Sequence, residues 1–406
     1  MGHPGRARRL VPTNSRAALR GAPLILGAMA VCVALGYGIV VPVLPTFAAS
    51  FGVGAFASSA VVSVFALARL AMSPFAPRLD RRFGERGIVV SGLLIVALSS
   101  AAAGMAQTYL ALLVLRGLGG IGSAMFSISS MSLLLGSVGP ELRGRATALY
   151  HGGFLIGGVA GPAAGGLLGG FSHRAPFFVY AGTLLLAAAV ASRLPSIQSA
   201  DAGPNPPPDR SVGELLRDVR FQAACFSGWA QGWNSVGVRA ALIPLFVAAT
   251  MYPDPRQAAR WTGVLMALAA GVQALALYPA GAVADKVGRR APMVAGAALA
   301  AVSIGVAPFT RSPIWLGVIM AVYALASAIS GTVPAAVVGD VAGKQRGRGV
   351  AIFSMSTDIG AIVGPLVGGL LVDSTSFAVA FGVGAAIWAA SAGLSSRIPS
   401  TRRRYP

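Results

Sequence analysis

The sequence predicts an all-α polytopic membrane protein, with twelve transmembrane helices arranged as two six-helix bundles. Three observations carry this. Of 406 residues, 55% are hydrophobic and only 11% are charged, against roughly 25% charged in an ordinary soluble domain. The apolar residues gather into twelve runs, each long enough to cross about 30 Å of hydrocarbon at about 1.5 Å per residue. The basic residues fall in alternate gaps between those runs. Disorder is excluded, since it requires low hydrophobicity. A net charge of +20 would suggest nucleic acid for a soluble domain, but basic residues confined to short gaps between spans read as orientation in a bilayer.

Residues 1–21 hold five arginines and no acid and read as a cytoplasmic basic tail. The run from Ala22 to Phe47 is too long for a cleaved signal core and reads as an uncleaved first span. The first bundle covers 22–195, with spans at 22–47, 57–77, 88–106, 109–138, 146–170 and 175–195. Residues 196–220 contain four prolines and form a cytoplasmic linker ending in a short amphipathic piece, Val212–Val219. The second bundle covers 221–397, with spans at 221–249, 260–283, 292–309, 313–340, 349–372 and 376–396, and residues 398–406 form a second cytoplasmic tail. With the N-terminus inside, 25 of the 32 Lys and Arg lie on the cytoplasmic side, four outside and three within spans. The positive-inside rule then puts both termini in the cytoplasm. Arg outnumbers Lys 30 to 2, which suggests GC-rich coding and a bacterial inner membrane.

Cys32 and Cys225 lie in apolar runs and read as inert free thiols. The chain has no phosphate-binding loop and no His, Cys and acid cluster at metal spacing. No enzyme, metal or cofactor is therefore expected.

The halves are related. Residues 143–166 align without gaps on 346–369, with ten identities in 24 positions at a spacing of 203. In the first copy Gly157, Gly161 and Gly165 recur every fourth residue and make a smooth packing stripe, with Gly166 beside it. Gly364 and Pro365 hold the matching places in the second copy, and Pro162 and Pro365 each remove a ladder hydrogen bond. Such six-plus-six duplication builds a central site between two bundles.

Between spans 8 and 9 lies GAVADKVGRR (281–290). Gly281 and Ala284 allow close approach, Asp285 can pair with nearby basic residues, Gly288 permits the turn, and Arg289 and Arg290 follow. Its counterpart PRLDRRFGER (77–86) is altered: Pro77 replaces the first Gly, and Arg81 holds the Asp place with Asp80 one residue early. GGVAGPAAGG (157–166) and GAIVGPLVGG (360–369) share a Gly-Pro pattern, RGLGGIGSA starts at Arg116, and GYGIVVPVLP (36–45) lies on span 1. Together these strings resemble the major facilitator superfamily, and specifically its twelve-span drug:proton antiporters. The resemblance covers nearly the whole chain. It implies a secondary transporter working by alternating access, an exporter from the Gly-Pro pattern, and proton coupling at Arg116. It also implies a cytoplasmic gate at 281–290; Asp340, at the cytoplasmic end of span 10, is placed to latch to Arg289 or Arg346 there.

Asp358 is the acid deepest within a predicted span, so it is the candidate proton carrier beside Arg116; permanent pairing with an arginine is the alternative. Candidate cavity residues are Tyr37, Arg69, Trp229, Gln231, Trp233, Asn234 and Arg239. Trp229 and Trp233, four apart, can share a helix face, and interior packing explains either equally well. Span 1 carries no acid. Three in-span arginines against one deep aspartate leave the interior near +2, a sign that attracts anionic or neutral substrates. The expected function is proton-coupled efflux of small amphipathic molecules by a monomer in the lipid bilayer. A proton-coupled uptake symporter and a non-transporting receptor or scaffold are the alternatives.

Overall fold

The computed structural model describes residues 21–139, 142–194, 212–342 and 346–399. Most of the expected tails and the proline-rich linker lie outside the described residues, as do the side chains of Asp285 and Arg346. Eleven described helices are long and apolar enough to cross a membrane, and Ala175–Ala191 is a shorter apolar helix of 17 residues. In chain order the twelve are α1 (Ala22–Val40), α2 (Ala55–Met72), α3 (Glu85–Gly104), α4 (Tyr109–Gly136), α5 (Arg143–Gly169), α6 (Ala175–Ala191), α7 (Val219–Thr250), α8 (Pro255–Val287), α9 (Arg290–Val306), α10 (Pro313–Ala342), α11 (Arg346–Ser374) and α12 (Phe377–Ser396).

Two helices depart from the sequence expectation. The first predicted span breaks: α1 stops at Val40, and a separate helix runs over Leu44–Ala49. Pro42 supplies no N–H and disfavours helix at the residue before it, and Pro45 opens the second piece. Helix α7 contains a π-helical segment, Trp233–Leu242, between α-helical flanks. Pro244 lies two residues beyond it; it offers no N–H to Ala240 and its ring crowds that carbonyl, which a wider turn relieves.

Side-chain packing forms a core within each half. Leu26, Met29, Leu93, Leu112, Phe126 and Phe177 belong to the first, and Phe246, Leu316, Tyr323, Phe381 and Trp388 to the second. Large apolar side chains such as Leu98, Leu110, Leu275 and Phe309 face outward. Buried Ser58, Ser59, Ser129, Ser130 and Ser327 lie inside, the distribution that a lipid surround favours. The piece Val212–Arg217 buries Leu215 against Phe221, Met293, Val337 and Val338.

Helix α7 begins at Asp218, whose carboxylate accepts the Arg220 N–H at 2.9 Å and pairs with its guanidinium at 2.8 Å. The guanidinium holds the Asp218 carboxyl below the usual carboxylate range. Loss of this cap in Asp218→Ala is expected to cost about 1 kcal/mol at neutral pH. A depressed carboxyl contributes stability that is complete above its unfolded pKa, about 3.9, and is lost as pH falls through the lower folded value. Thermal unfolding in detergent should therefore separate the variant from wild type at pH ~7 and bring them together in strong acid.

The glycine stripe explains how the repeat builds the bundles. Side-chain carbon at Gly157 or Gly161 would lie 2.5 or 2.6 Å from the α1 backbone at Leu35, and at Gly165 it would strike the backbone of Ile39. The second copy does the same against α7. Carbon at Gly360 would strike the Trp229 carbonyl oxygen, and at Gly364 it would lie 2.7 Å from that of Trp233. The last glycine of each copy faces the other bundle. Gly166 meets Gly263 of α8, 2.6 Å from a would-be Cβ, and Gly369 meets Ala55 and Phe56 of α2 at 2.6 and 2.7 Å. One motif thus packs each bundle and joins the two.

Candidate functional site

A cavity of about 710 Å³ lies between the bundles, lined by α1, α2, α4, α5, α6, α7, α8 and α11. Four of the sequence-predicted cavity residues, Tyr37, Arg69, Gln231 and Arg239, line it, and Asp358 joins them from α11. Phe65, Phe154 and Met266 contribute apolar wall. On the α7 side, Gln231 Nε2 donates to Ser235 Oγ at 3.0 Å and Ser327 Oγ at 2.7 Å. Arg239 Nη1 donates to Gln273 Oε1 at 2.8 Å, and Gln273 Nε2 reaches Ser327 Oγ at 3.4 Å. Across the cavity, half-buried Asp358 feels the charge of Arg69 without an ion pair between them.

Three expected cavity residues lie elsewhere. Trp229 and Trp233 pack on each other with centroids 5.4 Å apart, and their backbone carries the α11 glycines. Asn234 is fully buried and donates to the carbonyls of Ala230 at 3.0 Å and Gly384 at 3.3 Å. Trp229 and Gln231 take opposite faces of the regular part of α7, and the widened backbone that follows sends Trp233 and Asn234 into packing and Arg239 to the cavity. Arg116, 3% exposed, stands behind the wall, its guanidinium carbon 4.5 Å from the Phe65 ring centroid. Tyr37 and Tyr180 are its other electrostatic neighbours, and its Nε has no hydrogen-bond partner among the described residues. The Phe65 face lies over this cation, a contact worth about 2 kcal/mol when desolvated.

The two ends differ. At the end bearing Arg289, the altered loop folds as a helix over Ala76–Phe83, and Gly84 and Gly288 close the two loop copies at φ 79° and 87°, a region that favours glycine. Asp80 accepts from Ser129 Oγ at 2.5 Å and Glu85 from Ser132 Oγ at 2.5 Å, both inside the first bundle. Burial pushes the Asp80 carboxyl above its ordinary range. In the second copy Arg289 Nε pairs with Asp340 at 3.3 Å, joining α9 to α10. Asp340 is 58% exposed there, and such a pair contributes about 0.2–1 kcal/mol. Gly281 and Arg290 sit beside this pair in sequence, and the side chain of Asp285 lies outside the described residues.

At the opposite end the bundles meet. Asp373, on α11, accepts the Ala55 and Phe56 N–H groups of α2 at 2.7 and 2.8 Å. A carboxylate at a helix N-terminus gains from both the free N–H groups and the helix dipole. Ser63 Oγ donates to the Ile362 carbonyl at 2.7 Å, and Arg260 lies over the Phe171 ring at 5.7 Å. These contacts, with Gly166–Gly263 and Gly369–Ala55, close the side away from Arg289. The cavity lies toward the basic side, its lining reaching Leu70, Ser73 and Ile128. The role of Asp373 depends on residues 317 and 318 positions away, which nothing in the local sequence pairs with it. Gln273 has a signal, as a lone amide in an apolar span.

The family model described as Major Facilitator Superfamily matches residues 26–253 and 225–404. The chain belongs to the Major Facilitator Superfamily. Its twelve principal helices are the helices of that fold, with Ala175–Ala191 as the sixth. Among solved structures, a mutant of the nucleoside transporter NupG superposes at TM-score 0.76 with 15% identity, over 92% of this chain and 99% of that one. A bacterial homologue of the human lysosomal transporter Spinster, inward-facing and unoccupied, superposes at 0.72 with 17% identity, over 95% of both chains. At such identities the likeness is one of fold. Among curated relatives, multidrug resistance protein 2 of Bacillus subtilis is 32% identical over 158 residues, covering 39% of each chain. Quinolone resistance protein NorA of Staphylococcus aureus is 29% identical over 163 residues, 39% of this chain and 40% of that one. The aligned part thus spans about two fifths of the curated relatives it matches.

Proposed function

We propose that the protein exports small amphipathic molecules in exchange for protons, by alternating access in a bacterial inner membrane. The observation that carries this reading is the cavity between the bundles, closed on one side by Asp373 and the Gly166 and Gly369 contacts. The 25 basic residues on one side against four on the other support placing Arg289 and both termini in the cytoplasm. On that placement the cavity faces the cytoplasm, the side from which an exporter collects its substrate. The multidrug and quinolone resistance relatives support efflux over uptake.

Asp358 is the proton-carrying candidate in this scheme, because it is the carboxyl that lines the cavity. Rocking of the bundles is driven by the difference in proton and substrate affinity between the two states. Everted membrane vesicles test the scheme. An inside-acid gradient is expected to drive accumulation of fluorescent amphipaths by wild type. Asp358→Asn is expected to abolish that gradient-driven component while downhill exchange persists. An inside-acid gradient that empties preloaded vesicles overturns export in favour of uptake, and absence of flux in both directions overturns transport itself.

A further inference from the structure

We propose that Arg239 anchors a carboxylate or similar anionic headgroup, so that the cavity selects anionic over cationic amphipaths. The inference rests on the cavity being a substrate site, as proposed above, and it holds for either direction of transport.

Charge placement supports this first. Among the described residues, Arg69, Arg239 and Asp358 are the only Arg, Lys, Asp or Glu lining the cavity. Arg116 lies behind the Phe65 wall, which trims the interior charge deduced from sequence to one excess cation at the cavity surface. Asp358 faces Arg69, and the carboxylate of neither Asp358 nor any other described residue pairs with Arg239. The partner of Arg239 is the neutral Gln273 oxygen, which engages one of the five N–H donors of a guanidinium.

A partly buried cation with a single neutral acceptor gains more from a bound anion than one already paired with a carboxylate. The planar fork of arginine accepts a carboxylate through two parallel hydrogen bonds. The surroundings fit such a headgroup and its tail. Gln231, Ser235 and Gln273 line the same side of the cavity and add amide and hydroxyl donors. Phe65, Phe154 and Met266 offer apolar wall for a hydrophobic body.

Backbone geometry supports it independently. Arg239 lies within the π-helical segment Trp233–Leu242. Such widened turns are rare and concentrate at functional sites. Here the segment sends Trp233 and Asn234 into packing and brings Arg239 to the cavity.

The test is equilibrium binding to purified full-length protein without a proton gradient, using pyrenebutyrate, pyrenebutyramide and pyrenebutylamine, which share one hydrophobic body and differ in headgroup charge. The carboxylate is expected to bind about tenfold or more tightly than the amine, with the amide between them. Arg239→Gln is expected to erase the preference, and Arg239→Lys to keep a reduced one because it restores the charge without the fork. Thermal unfolding of both variants establishes that they are folded. Equal or tighter binding of the amine to wild type overturns the proposal, as does binding of none of the three. A preference that survives in folded Arg239→Gln overturns the assignment to Arg239. Vesicle flux in the uptake direction with an intact anion preference would sink export alone and leave this inference standing.

Discussion

Gly161→Val is expected to leave almost no folded protein in the membrane. A Cβ at this position would lie 2.6 Å from the Leu35 carbonyl oxygen and 2.7 Å from the Gly38 Cα. Both are backbone atoms, so no rotamer change relieves the clash and α1 must move away from α5. Gly157 and Gly165 make equally close approaches one turn away on each side, so the displacement propagates along the whole contact. Lipid tails solvate separated apolar helices as well as helices solvate each other, and the close backbone fit is itself the force that holds the pair. Overpacking one core position costs about 1–3 kcal/mol, and a rigid clash in a continuous backbone contact exceeds that range. Gly152→Val is the control, because no described atom lies within 4 Å of a Cβ there; its effect should stay within about 0.5 kcal/mol. Yield of monodisperse protein and its unfolding temperature are the readouts. Equal values for the two variants would mean that this contact does not hold α1 to α5.

Gly166→Leu, five residues further along the same motif, is expected to do something different. The nearest neighbours of a side chain at Gly166 are Gly263, Ala259 and Arg260 of α8, in the other bundle. Each bundle keeps its own packing, but the closed arrangement at that side loses its fit and its population falls. Asp373→Ala acts on the same surface by removing the acceptor for two N–H groups. Hydrogen bonds to a charged group contribute about 1.5–3 kcal/mol each, and about 1.4 kcal/mol shifts a two-state ratio tenfold. A reporter cysteine at Ser63, which is buried beneath this contact and bonded to Ile362, reads the change once Cys32 and Cys225 are replaced. Its labelling by an impermeant maleimide from that side should rise at least about tenfold in either variant. Unchanged labelling would mean that these contacts do not hold the side closed.

Much of this arrangement is legible in the residues, because lipid imposes length and apolarity on every span and glycine spacing on every tight contact. The Gly-Pro strings announce close packing, and the 203-residue repeat announces that it happens twice. What the sequence does not reveal is which glycine faces which bundle. Gly165 and Gly166 are adjacent, yet one meets Ile39 of its own bundle and the other Gly263 of its partner. Helical rotation decides that, and only assembled helices fix it. A regular helix puts positions four apart on one face, which groups Trp229 with Trp233, and packing against each other and α11 takes that face. A π-helical segment starting at Trp233 changes the projection from there on, for Asn234 and Arg239. Asp373 is hidden for another reason, since its partners are N–H groups rather than side chains, and no residue type marks them.

The irregular stretch in α7 has a consequence for how this rod tolerates change. A wide turn takes about one residue more than a regular one, so removing a residue from the stretch lets the tighter winding close while the rod beyond it keeps its facing. Single-codon deletions between Trp233 and Leu242 would thus be absorbed inside the stretch. They would move the guanidinium alone, leaving both flanks of the rod, including the stretch up to Gly232, where they are.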